Sequence, residues 1–238
     1  MRFEALEEWR LAPAVAEALF LAPLAGTLAF VATRLDKGFF LSLTREDGLL
    51  EWLQVLGFAA GAAVALLSVR LLLRRGDTAV AALYALFALG CIFFAGEEIS
   101  WGQRLLGLET PEGLRGVNYQ EEITAHNVVG VRAALKLLVL VLTVYAIVGA
   151  PLVRRLARRR PRELARLLAP PVFLTSAFAV VLGYNLVRLV VYPTTYFTRP
   201  GENHTVTRTS EWVELCLAYG LACFALLSWR RLRLLRSP

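Results

Sequence analysis

Histidine is nearly missing from this chain: His126 and His204 are the only two. Any site that needs three imidazoles from one polypeptide is therefore excluded. Lysine is as scarce, with Lys37 and Lys136 alone against a background of arginine. The three cysteines, Cys91, Cys216 and Cys223, all fall inside apolar runs. They imply neither a disulfide framework nor Cys/His metal spacing. No internal repeat is evident, so the inverted symmetry common in secondary transporters finds no support. A basic leader is also missing. Met1 to Arg10 carries Glu4, Glu7 and Glu8, and the apolar run behind it is too long for a cleaved signal. It reads as a retained first span.

What the chain has in abundance is apolar sequence. Of its 238 residues, 57% are hydrophobic, and the mean hydropathy is +0.56, above the usual soluble range. Six runs approach the roughly 20 residues that cross a hydrocarbon core. They cover about 12–33, 49–70, 78–101, 128–150, 167–192 and 211–229, with ends accurate to a few residues. The expected fold is all-α: a polytopic membrane helix bundle of six transmembrane helices, forming a single domain over 1–238.

The net charge of +7 does not point to nucleic acid, because the bases flank the apolar runs. Alternating the six spans puts sixteen bases on one side, including the arginine-rich stretch 154–166 and the cluster 230–236, and seven on the other. The positive-inside rule then places both termini in the cytoplasm. Arginine-, alanine- and leucine-rich usage hints at a bacterial source, which makes the bacterial inner membrane the expected location. Most acids, and both histidines, gather on the outer side, where chemistry is to be sought.

One stretch stands out there: Gly96-Glu97-Glu98-Ile99-Ser100-Trp101-Gly102-Gln103-Arg104. It closes the third span. Carboxylates at a helix carboxyl end are opposed by the macrodipole, by roughly 0.3–1 kcal/mol each. Lipid adds to that cost. Glu97 and Glu98 therefore need a cation, a proton, a metal or a substrate. Arg104 follows Glu97 by seven residues and could fold back on it if the helix continues.

Other acids converge on the same level. Thr44 with Asp47 resembles a capping box opening the second long helix. Glu46 and Asp47 are then explained as first-turn acids, and Glu51 sits one turn deeper beside Trp52. Asn118 with Glu121 is a similar start for the fourth, and puts Glu122 and His126 one turn apart on one face. That pair could ligate zinc, iron or manganese, or form a hydrogen bond pinning the helix end. The sixth helix starts near Ser210, so the dipole explains Glu211, whereas Glu214 lies one turn in. Arg132, Lys136, Asn185 and Arg188 lie within spans, where cations usually face the bundle interior. Thr110-Pro111-Glu112 reads as a helix start, in a partly apolar segment, 105–125, that could lie on the membrane as a lid. An ion-pair network closing the outer end of the bundle is the bland account of the whole set. The deeper acids, however, outnumber the nearby bases.

The runs Glu46-Asp47-Gly48, Glu51-Trp52, Gly96 to Arg104, Glu109-Thr110-Pro111, Asn118-Tyr119-Gln120-Glu121 and His126-Asn127 together resemble a family of uncharacterised bacterial multi-span membrane proteins. The resemblance covers about residues 44–127. It implies a membrane helix bundle and, since no activity is established for that family, no function. The chain is also similar in size, and in its acidic membrane-edge site, to membrane ceramidase-like hydrolases. It departs from their three zinc-binding histidines and is not assigned there.

The first functional expectation is an outer-leaflet enzyme acting on a lipid or lipid-linked envelope molecule. Glu97, Glu98, Arg104 and Gln103 are the expected catalytic residues. Arg188, Trp101, Asn118 and Gln120 are the expected substrate contacts. Glu98, Glu122, His126, Glu214 and Glu51 are the expected metal ligands. No cofactor is fixed by the sequence, and a divalent metal is the one these donors could hold. Membrane lipids are the expected partners, and nucleic acid is not. A proton- or cation-coupled transporter is the second reading, discouraged by inner half-spans made almost entirely of Leu, Ala and Val. A structural scaffold is the third.

Overall fold

The structure is a computed structural model describing residues 1–113, 122–125, 128, 130–156, 166–192 and 204–234. Among these there is no β-strand; the chain folds as helices joined by turns. In order they are α1 (Pro13–Ala32), α2 (Lys37–Leu43), α3 (Leu49–Leu73), α4 (Thr78–Glu98), α5 (Gln103–Leu106), α6 (Val131–Leu156), α7 (Thr175–Val191) and α8 (His204–Leu234). Six helical stretches are long and apolar enough to cross a membrane: Pro13–Leu35, Leu49–Leu73, Thr78–Glu98, Val131–Gly149, Val172–Val191 and Arg208–Leu234. They match the six apolar runs of the sequence.

Packing shows which face of each helix is inward. Between 11% and 50% of each apolar stretch is buried in the bundle, so most of the remaining surface is an apolar exterior. Leu28, Leu56, Leu66, Leu86 and Val190 are all exposed on it. Such a surface suits lipid, where backbone groups must be satisfied within the helices.

The centre of the bundle is α3, packed along both α4 and α8. Close approach on the α8 side comes from small residues. Gly57 and Gly61, one turn apart, face Ala218 and Ala222: a Cβ at Gly57 would lie 3.0 Å from Ala218 Cβ, and one at Gly61 3.5 Å from Ala222 Cα. Small residues at this spacing let helix backbones gain dispersion contacts that lipid cannot replace. Gly57→Leu is accordingly expected to destabilise the fold by about 1–3 kcal/mol through overpacking. Gly90→Leu, where no described atom lies within 4 Å of a Cβ, is expected to be close to neutral. Thermal unfolding of the two variants in one detergent checks the difference.

The bundle end distant from the acidic motif is closed by the chain's first residues. Glu4 is buried and accepts hydrogen bonds from Val172 N at 3.1 and 3.3 Å. Trp9 meets Phe173 edge-on at 6.4 Å and lies under the Arg231 guanidinium at 5.4 Å. Tyr84 donates to Leu167 O at 2.8 Å. These contacts tie the first residues and α4 to the segment that leads into α7.

Several element ends depart from expectation, each for a local reason. The cap of α3 is Gly48, while Thr44 terminates α2 and donates its hydroxyl to Phe40 O at 2.9 Å. Glu51 thereby becomes a first-turn acid, and Asp47 occupies a left-handed turn with φ 55°. The third span stops at Glu98 rather than 101. Residues 122–125 are not helical, and α6 begins only at Val131, so no helical face carries Glu122. Residues 112 and 113 form a turn, and the rest of the helix expected to start at Thr110-Pro111-Glu112 lies outside the described residues. At the other extreme α8 begins at His204, ahead of Ser210.

Candidate functional site

The Gly96–Arg104 motif is a helix terminator with a sharp reversal. After Ile99 caps α4, Ser100, Trp101 and Gly102 take φ values of 47°, 53° and 83°. Three successive left-handed residues stop the helix, and two of them carry side chains that this region disfavours by roughly 1–2 kcal/mol each. Side-chain contacts offset that strain. Ser100 Oγ donates to Glu122 Oε2 at 2.8 Å, and Trp101 Nε1 to Glu97 Oε1 at 2.7 Å. The Trp101 ring folds back over Gly96, where a Cβ would come within 2.9 Å of it. Glycine at 96 is what lets the indole close over the helix end.

The loop beyond is tied to the same turn. Gln103, at the start of α5, donates to Thr110 Oγ1 at 2.8 Å and accepts from Ile123 N at 2.5 Å. Glu97 Oε1 accepts a second bond from Ala125 N at 3.0 Å. Glu97 and Gln103, both expected to be catalytic, thus hold the loop against the helix end, although Glu97 also lines the cavity described below.

Arg104 is the hub. Its guanidinium bonds to Glu51 and to Glu98 O (2.9 Å), reaches Glu122 Oε1 at 3.3 Å and lies 3.3 Å from Asp47 Oδ1. One side chain therefore joins α3, the end of α4 and the 122–125 segment. Burial works against its charge, but Glu51, Glu122 and Asp47 outweigh that cost and raise its pKa above the usual arginine value. Because α6 begins only at Val131 and residues 122–125 are not helical, Glu122 reaches the site from a loop.

Behind this clasp lies a cavity of about 380 Å³, in the size range of small-ligand pockets. Both acids and bases line it. Glu98 from α4 meets Glu211 and Glu214 from α8, each offering a carboxylate oxygen within 4.8 Å of the others. Gln54, fully buried on α3, donates to Glu211 O at 2.7 Å and to Glu211 Oε2 at 3.2 Å, which fixes that carboxylate. Arg132 and Lys136 of α6 and Arg188 of α7 line the same cavity. Phe58, Phe94, Val139, Val181 and Leu217 supply apolar lining.

Of the expected site residues, Glu51, Glu97, Glu98, Arg104, Glu122, Arg188 and Glu214 all line this cavity. Trp101 and Gln103 are engaged in the turn. Asn118, Gln120 and His126 lie outside the described residues. Sequence reasoning missed Glu211, which it explained by the helix dipole. The observed helix makes Glu211 its eighth residue, beyond the first turn where that explanation holds. The usable signal was Glu211-x-x-Glu214, one helical face with two acids.

Three oxygen donors at this spacing fit a hard divalent cation such as magnesium or manganese. On a six-coordinate ion with bonds of about 2.1 Å, at most one pair of three ligands is trans, ~4.2 Å apart, and the other pairs lie about 3 Å apart, so a set spread to 4.8 Å draws together to bind one. Comparison with family models, with curated proteins and with solved structures finds no match for this chain.

Proposed function

We propose that this chain is a membrane enzyme acting on a lipid or lipid-linked envelope molecule at the outer leaflet. One observation carries the reading: three carboxylates, Glu98, Glu211 and Glu214, converge on one wall of an amphipathic cavity at the end of an apolar bundle. Such a cluster repels itself in a low-dielectric setting unless a proton or a cation sits among its members. A divalent ion there would polarise a phosphoryl or acyl oxygen and activate a water molecule. The protein's own part is to position the ligands. Gln54 orients Glu211, and the left-handed turn after Glu98 fixes the end of α4.

The basic bias of the opposite end supports a cytoplasmic location for both termini and an outward-facing cavity in a bacterial inner membrane. Membrane lipids are then the natural source of substrate. The apolar lining favours an enzyme over a transporter. Phe58, Phe94 and Leu217 line the cavity, and Ser68 and Thr143 deeper in the bundle spend their hydroxyls on Val64 O and Val139 O of their own helices.

A liposome assay tests the proposal. Protein loaded with manganese is incubated with a mixed bacterial lipid extract, and the lipids are followed by mass spectrometry. A lipid product that forms with wild-type protein and not with Glu98→Gln is expected. Proton or cation flux in the same vesicles, with no lipid turned over, contradicts it.

A further inference from the structure

The reversal after α4 is inside out. Across residues 101–108 the polar side chains turn inward. Gln103 is buried and tied to Thr110 and to Ile123 N, and Arg104 is engaged by Glu51, Asp47 and Glu122. The large apolar side chains stay outside. Leu105, Leu106 and Leu108 are each half or more exposed, Leu106 to 72%, and Trp101 is 46% exposed. A turn in water has the opposite order, because exposed apolar area forfeits the free energy of burial. So close a cluster marks an interaction surface.

The position of the segment says what covers it. The Trp101 ring folds back over Gly96 and meets Phe93 edge-on at 6.0 Å, level with the last two turns of α4. Arg104 pairs with Glu51 in the first turn of α3. Both helices are among the six long enough to cross a membrane, so the segment lies beside the span ends rather than beyond them. Leu86 and Leu89 share the Phe93 face of α4 and are exposed, which makes the patch continuous with the apolar exterior of the bundle. Phe93 also lines the cavity, so the patch adjoins the site. We propose that residues 101–108 form an interfacial anchor in the phospholipid leaflet at the acidic end of the bundle. Leu105, Leu106 and Leu108 enter the boundary of headgroups and acyl chains, to a depth of about 5–10 Å. Trp101 takes the headgroup level that indoles favour. The anchor holds Gln103 and Arg104, and with them the clasp over the cavity, at the membrane surface. It depends on the bundle spanning a membrane and not on any reaction in the cavity.

Spin labels test the depth. Full-length chains carrying Leu106→Cys, Leu108→Cys, Leu86→Cys or Glu112→Cys are labelled and placed in nanodiscs of phosphatidylethanolamine and phosphatidylglycerol. Labelled wild type gives the background from Cys91, Cys216 and Cys223. Collision with oxygen, which concentrates among acyl chains, is compared with collision with a polar nickel chelate. Leu86, exposed on α4, is the lipid reference, and Glu112, on an exposed turn, the aqueous one. Labels at 106 and 108 are expected to follow the one at 86. Their nickel contact should be at least about tenfold below that at 112, since a hydrated chelate is excluded from acyl chains at least that strongly. Nickel contact equal to that at 112 overturns the proposal. So does protection from both oxygen and nickel, which a second copy of the chain seated on the patch would produce. Lipid turnover enters neither result, so the anchor and the enzyme reading fail separately.

Discussion

Arg104→Gln is expected to cost roughly 3 kcal/mol, the low end of what breaking a buried ion pair costs. The side chain is 22% exposed and Glu51 12%, so the pair is largely shielded from solvent. Removing the guanidinium leaves Asp47, Glu51 and Glu122 close together with their shared cation gone. It also frees Glu98 O at the end of α4 and unties the 122–125 segment from α3. Arg104→Lys should recover only part of the loss, because an ammonium cannot span Glu51, Glu122 and Glu98 O with a rigid fork. Thermal unfolding in a mild detergent, with Arg74→Gln as a control, checks both statements. A variant as stable as wild type would show that the clasp adds nothing.

Glu98→Gln should behave in the opposite way. Its neighbours Glu211 and Glu214 carry the same charge within 4.8 Å, so neutralising one member relieves repulsion. Folding is expected to be retained or slightly improved. Function is expected to collapse. Loss of a ligand should weaken divalent-ion binding by at least about 100-fold, since even outer-shell partners of a metal site are worth 10–100-fold. Turnover should fall by at least about 1,000-fold, the equivalent of some 4 kcal/mol of lost transition-state stabilisation. The pairing of the two variants is informative. Arg104 is needed for the architecture and Glu98 for the chemistry, although they meet at one hydrogen bond of 2.9 Å. Glu112→Gln, on an exposed turn, should change neither property.

The spans were legible because a lipid-facing helix must be apolar all round, and six such runs are present. Glu98 was legible because it violates a simple rule, a carboxylate at the negative pole of a helix. Its partner Glu211 was not. An early start for α8 turned an apparently ordinary first-turn acid into a mid-helix one, and helix starts in polar loops carry little sequence signal. Thr44 misled in a similar way: its hydroxyl caps the end of α2 backwards, and Gly48 opens α3. The reversal at Ser100 and Trp101 could not be read at all. Non-glycine residues in left-handed conformation are held by contacts distant in sequence, here Glu122. Arg132, Lys136 and Arg188 were visible as intramembrane cations, but only the packing of α6 beside α7 shows that they line one cavity.

Titrating purified protein with manganese, followed by electron paramagnetic resonance, addresses the core of the account most directly. A single tightly held ion per chain is expected in the wild type, with that signal lost in Glu98→Gln, Glu211→Gln and Glu214→Gln and kept in Glu112→Gln. Absence of stoichiometric binding in the wild type, or a Glu211→Gln variant that holds manganese as the wild type does, would contradict it.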